Sequence, residues 1–492
     1  MSLANLFLNQ ANALPTKVAV ICEDRALTYA ELAKQVRNCV VNLQKASITQ
    51  GSHITLILPN SVEFAVFLLA FAYLGVVAIP FSPSMPIETV LKGMRRVDSS
   101  IMIASSDYFV RNDCQAIDNV LFYEAKNFLT EVEGSLFLSD VQRSLPFIIT
   151  MTSGSTGEPK PIILTQETKI RRAMEGAKEI YGLSGDDVII AATPMYHSLA
   201  QRLVLLPLMM GATSVIMRHF TPKRWLEAVE RHRVTFTLAV SSQLEMLLRE
   251  ELESYDLSSL RCIVSSSAPL ALETKKALVQ QLKCQFHECY GASEIGIATN
   301  LAPEDGVAKL GSVGKPLPHV TLRLSPEGEI EVKTTTLFSG YYRQEEKTKE
   351  AMDGEFFKTG DLGWIDEEGF LYYSGRKKDL IITGGINVYP KDIEEVLAQV
   401  EGVCEVAVIG VADPYFGEAI VAVVVANEGV SKQQLQRACR RHLADYQQPH
   451  AYEFVESLPK NEMGKIQKER LREKFLGYDA TKELRKILEK RG

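Results

Sequence analysis

The segment "TSGSTGEPKP", Thr152 to Pro161, gathers threonines, serines, glycines and one lysine, with no apolar side chain except proline. It follows "LPFIITM", an apolar, β-branched run that predicts a buried strand. Glycine leaves backbone N–H groups bare, hydroxyls add donors and Lys160 adds charge, so the pattern points to a phosphate group. The spacing is not that of a Walker loop, because two residues separate Gly154 from Gly157 and a proline follows Lys160. Alone, the segment favours phosphate, with a solvent-exposed Ser/Gly turn as the alternative. Further downstream come "YGASE" (Tyr290–Glu294), Thr359-Gly360-Asp361, "GRKKD" (Gly375–Asp379) and "PKNEMGK" (Pro459–Lys465). Each of these alone also reads as a surface turn.

Taken together and in this order, the motifs resemble those of the adenylate-forming superfamily, which holds acyl-CoA synthetases, adenylation domains and luciferases. The resemblance runs from "LTYAEL" to "GKIQKERLR" and is closest in pattern to acyl-CoA synthetases. It implies a large N-terminal domain of layered α/β sheets with a small β-structured part, and a small mobile α+β C-terminal domain. It implies that a carboxylate attacks the α-phosphate of ATP to give an acyl-adenylate, which a thiol then converts to a thioester. By resemblance, Thr152, Ser153, Gly154, Ser155, Thr156, Gly157 and Lys160 hold the β- and γ-phosphates, and Glu294 carries Mg²⁺. Ser293, where the family usually has threonine, offers its hydroxyl to the α-phosphate. Tyr290 lies against adenine, with Gly291, Ser267, Ala268 and Pro269 also at the nucleotide. Asp361 takes the ribose hydroxyls beside Arg376, and Lys465 bridges the two anions during adenylation. Lys378 is the hinge about which the small domain turns, and Gly384 and Gly385 leave room for the thiol arm. The acceptor is CoA; the alternative is a carrier-protein phosphopantetheine. A scaffold that has lost the chemistry is disfavoured by the intact Glu294, Asp361 and Lys465.

"PMYHSLA" resembles the acyl-CoA synthetase form, which implies His197 as a gate to the acyl pocket; the alternative is a structural histidine. Ser198 stands where amino-acid-activating relatives commonly place an aspartate, so no partner for an ammonium group is evident. Leu199, Leu203, Val240 and Ser266 are the expected pocket walls. "SSSAPL" replaces the glycine-rich "GGAPL" of many relatives, which suggests a shorter or narrower acid. Arg202 is unusual in an apolar helix; it either pairs with a second carboxylate or points at solvent, and solvent is the expectation.

These residues need a scaffold, and the patterning supplies one. Strand-like runs such as "HITLILP", "DVIIAATP", "VTFTLAV" and "RCIVSSS" alternate with helical patterns such as "RWLEAVERHR" and "ETKKALVQQLK". That alternation predicts a largely parallel sheet with ligands at the strands' carboxyl ends. From about residue 310 short strands and turns take over, and a compact α+β pattern begins at about 380. The expected division is 1–375, a hinge at 376–379, and 380–492. The uncharged run Phe64–Phe81 is broken by Gly75 and Pro80, so a buried helix and strand are expected rather than a membrane span. With 492 residues, 46% hydrophobic, and a net charge of −7, the chain reads as multidomain and not as a nucleic-acid binder. Its cysteines are scattered singly, without zinc spacing, and the N-terminal segment does not read as a signal peptide; a cytoplasmic location is expected.

Overall fold

The computed structural model describes residues 1–112, 119–133, 139–152, 160–461 and 464–479. The chain divides into two compact units. The larger contains residues 1–310, 314–322 and 332–357; the smaller contains 311–313, 323–331 and everything from Lys358 on.

In the larger unit, the run before the hydroxyl-rich segment forms the strand Pro146–Thr152 of a six-stranded sheet, and Lys160–Thr165 returns beside it antiparallel. The other strands, including His53–Ile57, Val77–Pro80 and Ile101–Ala104, run parallel. They read as continuous apolar runs because both faces of the sheet are covered. The uncharged stretch divides as expected. Helix Val62–Leu74 has an N-cap in Ser61 and ends at Gly75, which adopts φ +71°. Strand Val77–Pro80 follows, fully buried. No helix among the described residues is long and apolar enough to cross a membrane.

A second, nine-stranded sheet has a parallel centre built from Val18–Cys22, Thr213–Ile216, Val188–Ala191, Phe236–Val240, Cys262–Ser266 and Gln285–Ala292. Its site-bearing segments follow directly from strand ends. Ser267 follows Cys262–Ser266, the "YGASE" segment closes Gln285–Ala292, and helix Ser198–Met210 follows Val188–Ala191. This is the placement expected for ligands in such sheets.

The smaller unit is α+β. Strands Val403–Asp413 and Gly417–Ala426 pair antiparallel, flanked by Ile381–Thr383 and Ala451–Phe454. Val406 and Val408 enter one apolar cluster with Ile393, Leu397 and Leu435. Ala407, Ile409 and Val411 enter another, with Leu458 and Leu471. Two covered faces explain why "CEVAVIGV" lacks the polar alternation of a half-exposed strand. The hairpin Phe356–Ile365/Leu371–Arg376 carries Asp361 opposite Arg376 in register. Residues Lys377–Asp379 form a 3₁₀ turn at its end.

Candidate active site

The strand leaving the hydroxyl-rich segment is tied to a second segment of the larger unit. Ile162 bridges Tyr341, and Ile163 N donates to Gly340 O at 3.0 Å. The Tyr341 hydroxyl donates to Glu294 Oε1 at 3.0 Å, and Lys160 Nζ stands 5.1 Å from the Tyr341 ring centroid. One ring therefore touches both the lysine expected at the phosphates and the carboxylate expected at the metal. Burial, and then the Glu294 charge, raise the phenol's pKa, so it stays protonated and donates. Residues Ser153, Gly154, Ser155, Thr156 and Gly157 lie outside the described residues, as does the side chain of Thr152.

Glu294 sits in the turn between strands Gln285–Ala292 and Gly296–Leu301, whose pairing shifts register after Tyr290. The turn is held from outside by Arg172, which is 3% exposed. Its guanidinium donates to Ser293 O at 2.8 Å, Glu294 O at 2.7 Å and Thr336 O at 3.0 Å. A planar fork can serve several carbonyls at once in a way an ammonium cannot. Tyr290 is buried, and Ser293 and Glu294 are half-buried. Gly291 is packed so tightly that a Cβ there would lie 1.9 Å from Gly296 O. Sequence reasoning missed Tyr341 and Arg172. The only available signals were the aromatic pair in "GYYRQ" and an arginine on the helix after the segment.

Ser267 adopts φ +76°, the left-handed region that disfavours a side chain. Its neighbour Ala268 is pinned through its carbonyl, which accepts from Ser241 Oγ at 2.6 Å. Ser267 and Pro269 are exposed. Replacing Ser267 with glycine is expected to raise stability by about 1 kcal/mol, read as a higher Tm. An unchanged or lower Tm would mean that the serine hydroxyl compensates for its backbone.

The expected acyl walls come from three adjacent elements. His197 caps helix Ser198–Met210, its ring 4.7 Å from that of Tyr196. Leu203 is fully buried and Leu199 half-buried on that helix. Val240 and Ser266 are paired residues at the ends of neighbouring parallel strands. Arg202 does not point at open solvent. It is half-buried, and burial lowers its pKa, offset in part by Cys289 and Tyr181. The helix geometry explains why: Arg202 lies one turn from Leu199 and so shares its face.

In the smaller unit, Asp361 is 3% exposed and its Oδ1 lies 2.9 Å from Arg376 Nε. Lys465 is in the same neighbourhood. Its pKa is lowered to about 8 by burial first and then by Arg376, while Asp361 and Asp379 oppose that shift. Its backbone is held by a reciprocal pair of bonds: Lys465 N to Asn461 Oδ1 and Asn461 N to Lys465 O, both 2.9 Å. Gly464 supplies φ +74° in this turn. Lys378 is exposed and ion-paired with Glu469 at 2.6 Å. Gly384 and Gly385 form the exposed tip of hairpin Ile381–Val388 at φ +56° and +79°, with open space where a Cβ would stand.

Two family models account for most of the chain: AMP-binding enzyme over residues 7–342 and AMP-binding enzyme C-terminal domain over 392–465. The chain is an AMP-binding enzyme. This AMP-binding enzyme is 30% identical over 484 residues to 2-succinylbenzoate–CoA ligase of Bacillus cereus, covering 96% of this chain and 98% of that protein. Among solved structures it is similar to o-succinylbenzoate CoA synthetase (MenE) of Bacillus subtilis in complex with ATP and magnesium. That match has a TM-score of 0.88 and 27% identity, covering 95% of this chain and 99% of the other. ATP-bound MatB of Rhodopseudomonas palustris matches with a TM-score of 0.87 and 29% identity, covering 98% and 100%. The AMP-binding enzyme thus has the adenylate-forming fold that the motif order implied.

Proposed function

We propose that this enzyme activates a carboxylic acid with ATP and passes the acyl group to CoA. In the first half-reaction a carboxylate oxygen bonds to the α-phosphorus and pyrophosphate leaves. In the second, a thiol sulfur bonds to the carbonyl carbon and AMP leaves. The observation that carries this reading is the grouping of Lys465, Asp361 and Arg376: a desolvated cation beside a buried carboxylate already oriented by a guanidinium. In this reading the two carboxylate oxygens of Asp361 accept from the ribose hydroxyls. Lys465 supplies positive charge where substrate carboxylate and nucleotide phosphate repel each other.

Glu294 fits a magnesium ion. Its carboxylate accepts one hydrogen bond and has no ion pair among the described residues, and hard cations prefer carboxylate oxygen. Magnesium commonly uses one or two carboxylates plus substrate phosphates, so it needs no larger protein cluster. When bound, the ion offsets phosphate charge, while Tyr341 and Arg172 keep the carboxylate and its turn in place. Ser293, Tyr290, Gly291, Ser267, Ala268 and Pro269 form the nucleotide cradle in this reading, with His197 at the acyl entrance. Residues 1–375 and 380–492 act as the working domains, and Lys378 in the 376–379 turn is the hinge. Its exposed side chain has one ion pair among the described residues, with Glu469, to exchange when the backbone turns. The open tip at Gly384 and Gly385 admits a slender thiol arm.

The relatives are named for CoA, and that favours free CoA as the acceptor. The test is pyrophosphate and AMP release over a panel of carboxylic acids, with CoA and, separately, with a phosphopantetheinylated carrier protein. Thioester on CoA is the expected result. Thioester only on the carrier would replace CoA as acceptor, and absence of AMP with every acid would overturn the assignment.

A further inference from the structure

Helix Gln166–Ala173 follows strand Lys160–Thr165 and so continues the chain from the hydroxyl-rich segment. It is fixed at its start. Thr165 Oγ1 accepts from Thr168 N at 3.0 Å. The buried Gln166 amide accepts from Leu3 N at 2.9 Å and donates to Ala72 O at 2.8 Å. Lys169 and Arg172 lie one turn apart and share a face of this helix. Arg172 grips the turn that carries Ser293 and Glu294. Lys169, 5% exposed, reaches the first turn of helix Ser198–Met210 instead. Its Nζ donates to Gln201 Oε1 at 2.9 Å and to Ser198 Oγ at 3.3 Å.

That first turn has no side-chain capping bond from His197 and is held from outside. Gln201 is fully buried, and its Nε2 donates back to Met195 O at 3.1 Å. Met195 N donates to Asn60 Oδ1 at 2.6 Å, and Asn60 Nδ2 donates to Thr193 O and Met217 O, both at 2.9 Å. A continuous set of buried hydrogen bonds therefore runs from Lys169 through Gln201 to the segment that ends in His197. Lys169 sits there at an electrostatic disadvantage. A cation at a helix N-terminus opposes the helix dipole, burial disfavours its charge, and both acceptors are neutral. Burial, then Arg172 and Arg202, lower its pKa. With or without its last proton, the amine keeps two N–H donors for the two oxygens. A methionine would fill similar space without that cost, so what the lysine contributes is placement rather than stability.

We infer that Lys169 is a positioning residue for the acyl entrance. Helix Gln166–Ala173 sets His197 and Ser198 through Lys169 as it sets Glu294 through Arg172. One rigid element thereby registers the acid against the nucleotide. This rests on the acid–CoA ligase reading and adds to it how the two substrates are aligned.

The test measures AMP release with CoA in wild type, Lys169→Met, Arg172→Met and Ser198→Ala, with hexanoate, benzoate and succinate as probe acids. Acid and ATP are varied separately. Lys169→Met is expected to raise KM for the acid by at least about tenfold, with KM for ATP near wild type. Arg172→Met should do the reverse. Ser198→Ala keeps Lys169 and its bond to Gln201, and should raise KM for the acid about threefold. It decides the matter if Lys169→Met does not fold. Hydrogen exchange in the free enzyme gives a reading that needs no acid. Amides of residues 195–203 should exchange faster in Lys169→Met, while those of 290–296 keep their wild-type rates. A joint rise of both KM values in Lys169→Met overturns the inference. So does an unchanged acid KM in Lys169→Met and Ser198→Ala, or unchanged exchange at 195–203. If no acid yields AMP in wild type, the ligase reading fails, and the exchange pattern alone upholds or sinks the mooring of the entrance.

Discussion

Lys465→Ala is expected to lower the rate of acyl-adenylate formation on the order of 10²–10³-fold, the usual consequence of removing one positioned donor from a developing anion. Thioester formation from supplied acyl-adenylate should stay near wild type, because by then the two anions have already been joined. Equal loss in both half-reactions would refute the role and point to a general structural defect. The same lysine predicts a pH signature. Its pKa in the free enzyme is lowered to about 8 from 10.5, so the charged form is lost as pH rises through 8. The kcat/KM for adenylation, which reports the free enzyme, should therefore fall above that pH. Stability should move the other way. Between pH 8 and 10.5 the unfolded lysine binds more protons than the folded one, so this group's contribution to stability rises with pH. Activity and stability diverging over the same window would be hard to obtain from simple denaturation.

Gly291→Ala is the second large effect. The added methyl would meet a backbone oxygen at 1.9 Å, not the end of a flexible side chain, so the turn itself must move. We expect a loss of about 3 kcal/mol or more in stability. Adenylation should also fall steeply in the fraction that still folds, because Ser293 and Glu294 travel with that turn. Denaturant titration and single-turnover pyrophosphate release measure the two separately. A variant of wild-type stability and activity would show that the turn relaxes freely and that Arg172 does not fix it.

The layered, largely parallel larger unit was legible because period and composition carry that information, whereas its strand order was not. "DVIIAATP" and "RCIVSSS" are too apolar to be anything but covered strands, and Gly75 broke the uncharged run where the helix in fact ends. The proposed chemical anchors were read from motif order. What stayed hidden was what holds them. Arg172 grips main-chain carbonyls, and every residue has a carbonyl, so nothing in the sequence marks the acceptors. Tyr341 reaches Glu294 across a chain separation of 47 residues, far beyond any helical or strand period. Arg202 was misread because a charge in an apolar helix usually escapes to water; here the helix face it shares with Leu199 prevents that.

Helix Ser198–Met210 contains Pro207, whose missing N–H interrupts the internal hydrogen-bond ladder. Beyond that break the chain is moored: the Tyr29 hydroxyl reaches Pro207 O at 3.1 Å and Ala212 O at 2.8 Å. The proposed acyl-wall positions 197, 199 and 203 all lie on the other side of it. Selection could therefore exchange side chains in the first turns and hand the enzyme a new acid, while the moored end keeps the sheet beneath undisturbed. A lineage of ligases with one chassis and many diets would begin at this proline.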